Sequence, residues 1–259
     1  MTLVSKLKNR SVALWALLAL GAASPAARAA SVAYINSGGG SISYLTGFGH
    51  TVTDISNPIS LTLGDLAGYD VVVAASNSTF SQATNIGNVL ADFADAGGGV
   101  VLTEFTFQGI WALGGRIMTA GYSPFITDPL SGGYDFSGVL GTVYDAGSPL
   151  LAGAAAATTY YQADVGLDSS AVLVADWDSG RHAVAYNSLG SNSVVAVNLF
   201  PSQNHYPFGE TGYQRLMSNA VQFSLTGGSG PRVPDSSPGV VALVSLAGLF
   251  IVRRRFGVK

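Results

Sequence analysis

Between residues 30 and 226 the chain consists of short apolar runs set off by Gly, Ser and Asn, with two stretches that keep a helical period instead. Residues 32–35, 51–55, 70–75 and 100–102 read as strands. The run at 70–75 is continuously apolar, as in strands covered on both faces. Residues 81–96 read as a helix, because Ile86, Val89, Leu90, Phe93 and Ala94 fall at i, i+3, i+4, i+7 and i+8 and form one apolar stripe. Gly97 follows where a helix end favours a left-handed residue. Shorter helical turns are expected at 41–48 and 61–67, and a closing helix at 212–223 with Leu216, Ala220 and Phe223 on one face. A hairpin is expected from 172–176 and 182–186 around Trp177-Asp178-Ser179-Gly180, and a further strand at 194–199. The segment 109–149 lacks a sustained period and reads as long loops with short strands. Strand, helix and strand in this rhythm predict right-handed crossovers and an α/β fold: a mainly parallel sheet flanked by helices, with loop-rich insertions.

The two ends of the chain stand apart from this pattern. Lys6, Lys8 and Arg10, an apolar segment over 12–23 and the small-x-small site Ala27-Arg28-Ala29 predict a secretory signal peptide over 1–29, removed by signal peptidase. At the other end, residues 227–232 form a linker, and 233–259 carry Val233, Pro234, Asp235 and Ser236, an apolar run and Arg253, Arg254 and Arg255. The fourteen residues 239–252 would span only about 21 Å as a helix, against about 30 Å for a bilayer core. The arginines would hold that end on the cytoplasmic side. Motif, run and basic cluster together resemble the PEP-CTERM sorting signal in its Val-Pro-Asp-Ser-Gly variant, with Ser237 where that variant has Gly. The resemblance implies an exosortase-type partner that removes the tail, transient residence in the inner membrane, and a final location at the cell surface or outside a Gram-negative-type bacterium. An ordinary single-span anchor is the competing reading.

Setting the ends aside changes the charge picture. Of twelve Lys and Arg, only Arg116, Arg181 and Arg215 remain within 30–231, together with fourteen of the fifteen acids, for a formal balance of −11. Such a surface repels phosphate backbones and anionic lipid, which excludes nucleic acid as a partner. No cysteine occurs anywhere, so disulfides, thiolate metal sites and thiol nucleophiles are excluded together. No cofactor motif appears. The Gly38-Gly39-Gly40 loop lacks the lysine of a phosphate-binding loop, and Asp176-x-Asp178-x-Gly180 reads as a hairpin turn, not a calcium loop.

Tyr69-Asp70-Val71-Val72-Val73, the helix after it, Ala96-Gly97-Gly98-Gly99-Val100-Val101 and Asn219-Ala220-Val221-Gln222-Phe223 resemble the flavodoxin-like, glutamine-amidotransferase-like superfamily, nearest its ThuA-like branch. In amidotransferases of that superfamily a cysteine nucleophile sits on the turn after the strand equivalent to 100–102. Glu104 occupies that neighbourhood here, and ThuA-like domains often have histidine there. Amidotransferase activity is therefore not expected. The superfamily's histidine comes from a loop after a late strand, a place held here by His205.

Ligands of an open parallel sheet lie beyond the carboxyl ends of its strands. That rule gathers Asn36, Ser37, Asn77, Ser78, Glu104, Gln108, Gln203, Asn204 and His205. Glu104 and His205 are the candidate acid–base pair, and Asn36, Ser37, Asn77, Ser78, Gln108 and Asn204 the candidate ligand-binding residues. The plainer expectation for Glu104 is that it caps backbone amides or pairs with Arg116. Trp111, Tyr122, Phe125, Tyr134, Tyr144, Tyr160 and Tyr161 could stack on sugar rings or simply pack. Two functions fit: an exported surface or matrix protein whose domain is structural or binds a neutral polysaccharide, or an extracellular carbohydrate hydrolase using Glu104 with His205 or a second carboxylate.

Overall fold

The computed structural model describes residues 28–38, 40–127, 134–202 and 211–228. The expected signal peptide up to residue 27, the sorting motif, Gln203, Asn204 and His205 lie outside the described residues. Five adjacent strands run parallel in the order β2 (Thr51–Ser56), β1 (Ser31–Asn36), β3 (Val71–Ala75), β4 (Gly99–Thr103) and β11 (Ser193–Val197). The expected parallel pairing of β3 with β4 is present, with Val72 opposite Val100 and Val73 opposite Val101. Helix α1 (Ala83–Asp95) packs Ile86, Leu90 and Phe93 on one face of this sheet, against Val72, Ala74, Val100 and Leu102. Helix α2 (Gly212–Ser224) packs Leu216, Ala220 and Phe223 on the other, against Val71, Val73, Val101 and Val195. With a helix on each face, β3, β4 and β11 are buried along their whole length, as continuous apolar runs require.

Helix α1 ends as its sequence predicts. Gly97 has φ = 96°, its N–H donates to Ala94 O (3.0 Å), and Gly98 N–H donates to Phe93 O (3.0 Å). This left-handed turn satisfies carbonyls that the last helical turn would leave open.

Beyond β11 the sheet continues antiparallel through β10 (His182–Ser188), β9 (Val172–Trp177), β6 (Tyr134–Val143) and β7 (Thr158–Ala163), giving nine strands in all. The 172–176/182–186 hairpin forms as expected, and its turn closes with Gly180 N–H donating to Trp177 O (2.9 Å). The ten-residue β6 lies within the segment whose pattern suggested mostly loop. Its alternation is hidden by Gly138 and Gly141, a positive φ at Ser137, and a register shift between Leu140 and Val143. A separate two-stranded ribbon joins β5 (Phe125–Ile126) to β8 (Gly166–Leu167).

Both described chain ends lie at the amino edge of the parallel strands. The Gln222 side chain holds both backbone groups of Arg28, accepting from its N–H (3.1 Å) and donating to its carbonyl, while the Arg28 guanidinium reaches Asp70, just before β3 (3.3 Å). At the C-terminal end Gly227 packs on the Gly190–Ser191 turn that leads into β11. No helix among the described residues is long and apolar enough to cross a membrane.

Candidate functional site

A row of buried polar residues crosses the carboxyl edge of the parallel sheet. Continuing the β3–β4 register past Ala74 and Leu102 sets Ser76 opposite Glu104. Continuing β1–β3 past Asn36 and Ala75 sets Ser37 opposite Ser76, and continuing β11–β4 past Val197 and Thr103 sets Asn198 opposite Glu104. Ser37 N–H to Ala75 O (3.2 Å) continues the β1–β3 ladder; Glu104 N–H bonds Leu199 O (3.2 Å), beyond the β11–β4 register, and Asn198 N–H bonds Ala183 O (2.8 Å) on β10. Ser37, Ser76, Glu104 and Asn198 thus stand side by side, all buried.

The two outer members of the row are saturated. The Ser37 hydroxyl donates to Ser78 O (2.7 Å) and accepts from the N–H groups of Asn77 (3.0 Å) and Ser78 (3.1 Å). The Ser78 hydroxyl answers by donating to Ser37 O (2.6 Å). Asn36 donates to Asp54 Oδ1 (2.8 Å) and accepts from Gly38 N–H (3.0 Å). Asn36, Ser37 and Ser78 therefore latch two loops together, and their polar groups are engaged within the fold. At the other end, Asn198 accepts from Ala163 N–H and donates to the carbonyls of Ala163 and His182, each at 2.8 Å.

The two inner members are not saturated. Ser76 and Glu104 are 0% exposed, and neither Ser76 Oγ nor either Glu104 carboxyl oxygen has a hydrogen-bond partner among the described residues. Tyr34 Oη and Gln108 Oε1 are likewise buried without partners. Each such group costs about 1–3 kcal/mol of desolvation. Burial pushes the Glu104 carboxyl well above the usual carboxylate range and so favours its protonated form, which can donate as well as accept. Neither plain expectation for Glu104 is met. Arg116, in a short turn packed on α1, instead binds Asp92 and Asp95 on the helix's solvent face, the latter at 2.9 Å.

Glu104 opens a 3₁₀ turn, Glu104–Phe107, whose phenylalanines meet different partners. Phe107 meets Phe125 edge-on (5.4 Å between centroids). Phe105 meets Trp111 (5.0 Å), Tyr161 (5.2 Å) and Phe200 (5.3 Å), with Tyr160 edge-on to Tyr161 (4.7 Å). Trp111 and Tyr161 are half-buried and Tyr160 exposed, so the cluster presents an aromatic shelf at this edge, beside the exposed Ile110. Of the other aromatic candidates, Phe125 is buried, Tyr122 donates to Asp95 (2.8 Å) and Tyr144 to Asp176 (2.6 Å). Tyr134 begins β6.

Asp176 and His182 form a further pair that the sequence reading passed over. They face each other across the β9–β10 hairpin, with His182 Nδ1 2.8 Å from Asp176 Oδ1 and Tyr144 Oη–H donating to Asp176 Oδ2 (2.6 Å). The His182 ring lies near-parallel to Phe125 (6.1 Å, 18°). The pair's sequence signal was the hairpin itself, in which only the five residues 177–181 separate Asp176 from His182. Among the described residues no group of three His, Asp or Glu could hold a metal ion.

A groove of about 510 Å³ lies at the opposite, amino edge, lined by Leu66, Tyr69, Asp70, Phe93 and Leu225, with Arg28 as one wall. Arg28 and Asp70 bind each other there, and no unpartnered buried polar group lines it. The candidate chemistry is therefore placed at the carboxyl edge, away from this groove.

No family model matches the sequence, and no curated protein matches it. Solved structures do. A cytoplasmic protein from Salmonella typhimurium superimposes with a TM-score of 0.55 at 15% identity, over 75% of this chain and 99% of that one. A putative GMP synthase component from Thermoplasma acidophilum gives 0.52 at 12%, over 76% and 94%. A putative ThuA-like protein from Parabacteroides merdae gives 0.51 at 14%, over 80% and 94%. At these identities the likeness establishes the fold: flavodoxin-like α/β, of the ThuA-like and glutamine-amidotransferase-like kind.

Proposed function

We propose that this chain is an exported surface or extracellular-matrix protein whose amidotransferase-like domain has no amidotransferase chemistry and binds a neutral polysaccharide at its carboxyl edge. The observation that carries the reading is the aromatic shelf that stands open at the carboxyl edge. Where amidotransferases of this fold keep a thiol, this chain has a buried carboxyl beside a buried hydroxyl, neither partnered among the described residues. Enclosed as they are, these two groups neither attack an amide nor touch a ligand, and contact with a ligand falls to the shelf. The aromatic shelf of Phe105, Trp111, Tyr160 and Tyr161 supplies faces on which sugar rings stack, and the acidic body disfavours anionic partners. Export rests on the signal-peptide pattern, and delivery to the surface on the sorting motif with its exosortase-type partner.

The hydrolase alternative draws on the same Glu104. A raised carboxyl suits a general acid, but a carboxyl that is 0% exposed must first be uncovered to reach a glycosidic oxygen. A glycan array probed with residues 30–231, beside a hydrolysis assay on the bound glycans, separates the two. Retention without cleavage, lost in Trp111→Ala and Tyr160→Ala together, is expected. Absence of binding to every neutral glycan overturns the reading. Mass spectrometry of the protein from its native host tests the export half: residues 1–29 and most of the chain after about Pro234 should be missing.

A further inference from the structure

We infer that the carboxyl edge holds a second, hydrolytic centre in which His182 acts as general base toward carboxylic esters, with Asp176 and Tyr144 as positioning residues. Asp176 is buried, and each of its two oxygens is committed, one to Tyr144 Oη–H and one to His182 Nδ1. A carboxylate on Nδ1 keeps the proton of the neutral imidazole there and leaves the Nε2 lone pair free. Among the described residues Nε2 has no hydrogen-bond partner, and the His182 side chain is 26% exposed. The Nδ1 bond to Asp176 and the near-parallel Phe125 ring set the plane of the imidazole. Base, orienter and fixed plane are three of the geometric requirements for proton abstraction.

Phe125 lies near-parallel to the imidazole, and Tyr144, bonded to the same Asp176, leaves its ring 56% exposed beside the pair. Such surface suits an uncharged acyl group better than a carboxylate or phosphate. The reaction needs only water and the ester. Nε2 takes a proton from water as its oxygen bonds to the acyl carbon. The C–O bond to the alcohol then breaks, and the departing oxygen takes the proton back from Nε2, leaving carboxylic acid and alcohol. No side-chain nucleophile is required, because the alkoxide of an ester leaves far more readily than the amine of an amide. That the ester is an O-acyl group on a neutral sugar rests on the proposed polysaccharide reading; the hydrolytic centre does not.

The test uses the full chain in mild detergent with p-nitrophenyl acetate as probe. Wild type should release p-nitrophenolate well above the blank, and His182→Gln should lower the protein-dependent rate at least about tenfold. Asp176→Asn should lower kcat with little change in KM, and imidazole should restore turnover in His182→Ala above the rate of imidazole and ester without protein, which a merely structural histidine would not show. Melting curves check that each variant folds. Should Asp176→Asn unfold, diethyl pyrocarbonate labelling of wild type decides: turnover should be lost in step with modification of His182, and full turnover after His182 is labelled overturns the inference. Wild-type turnover no faster than the blank, or His182→Gln as fast as wild type, overturns the inference. Glycan retention without ester turnover overturns it while sparing the polysaccharide reading, and turnover without retention does the reverse.

Discussion

Ser76 and Glu104 are register neighbours at the ends of two parallel strands, both fully enclosed, yet neither bonds the other or any other described group. Buried polar groups in native folds are otherwise almost always paired. The fold therefore carries this pair at a cost, and that cost makes its protonation measurable.

Unfolded, the Glu104 carboxyl ionises near about 4.3. In the fold it holds its proton to higher pH. Its contribution to stability is thus complete below the unfolded value and is lost as pH rises toward the folded one, at up to about 1.4 kcal/mol per pH unit. Glu104→Gln keeps the shape and removes the titration. Urea midpoints from pH 5 to 8 should fall with pH in wild type relative to the variant, and parallel curves would contradict the buried acid.

His50 should show the opposite sign at lower pH. It is buried, its Nε2 lies 3.2 Å from Ser218 Oγ, and burial holds its pKa below the usual histidine range. The unfolded imidazole charges first, so stability present above about pH 6.5 is lost as pH falls. His50→Gln should flatten that acid limb in thermal melts between pH 7 and 5.

Phe93 and Gly98 should be energetically coupled. Phe93 is 6% exposed, and a Cβ at Gly98 would lie 2.2 Å from its ring. Phe93→Ala should cost about 3–5 kcal/mol. Gly98→Ala should be strongly destabilising alone and much less so in the Phe93→Ala background. A double-mutant cycle by urea unfolding reads the coupling, expected at about 1–3 kcal/mol.

Asn198 ties three strands through one side chain, donating to two carbonyls and accepting from one amide. Asn198→Asp places a carboxylate oxygen against the carbonyls of Ala163 and His182. A loss above about 3 kcal/mol is expected, more than for a typical substitution. Amide exchange at Ala163 should rise in parallel, since its N–H bonds Asn198 Oδ1.

The parallel half of the fold was legible because its signals are local. The apolar stripe of α1, Gly97 after it and the continuous run before it can each be read without knowing what they pack against. The strand β6 was not, because Gly138, Gly141 and a register shift erase its alternation. At the site, the position of Glu104 followed from a strand ending there. Its isolation did not, since Arg116 is claimed by Asp92 and Asp95 on a helix whose exposed face the sequence does not aim. Asn36, Ser37 and Ser78 looked like ligand groups because they are polar and sit at strand ends. Only the spacing of the two loops shows that Ser37 and Ser78 bond each other, and only the β1–β2 pairing shows that Asn36 reaches Asp54. Asp176 and His182 were legible in principle, once a hairpin is read as a pairing scheme and not merely as two strands.

Both described chain ends meet the domain at one edge of the sheet, and the polar row and aromatic shelf lie at the other. A pull between residue 228 and a polymer held on that shelf would run along the strands. Such a load would enter through α2, which precedes residue 228, before it reached the strands, whose cross-strand hydrogen bonds lie across the direction of pull. A five-residue strand such as β4 separates the two edges by about 17 Å, and that is the distance over which the domain would carry tension.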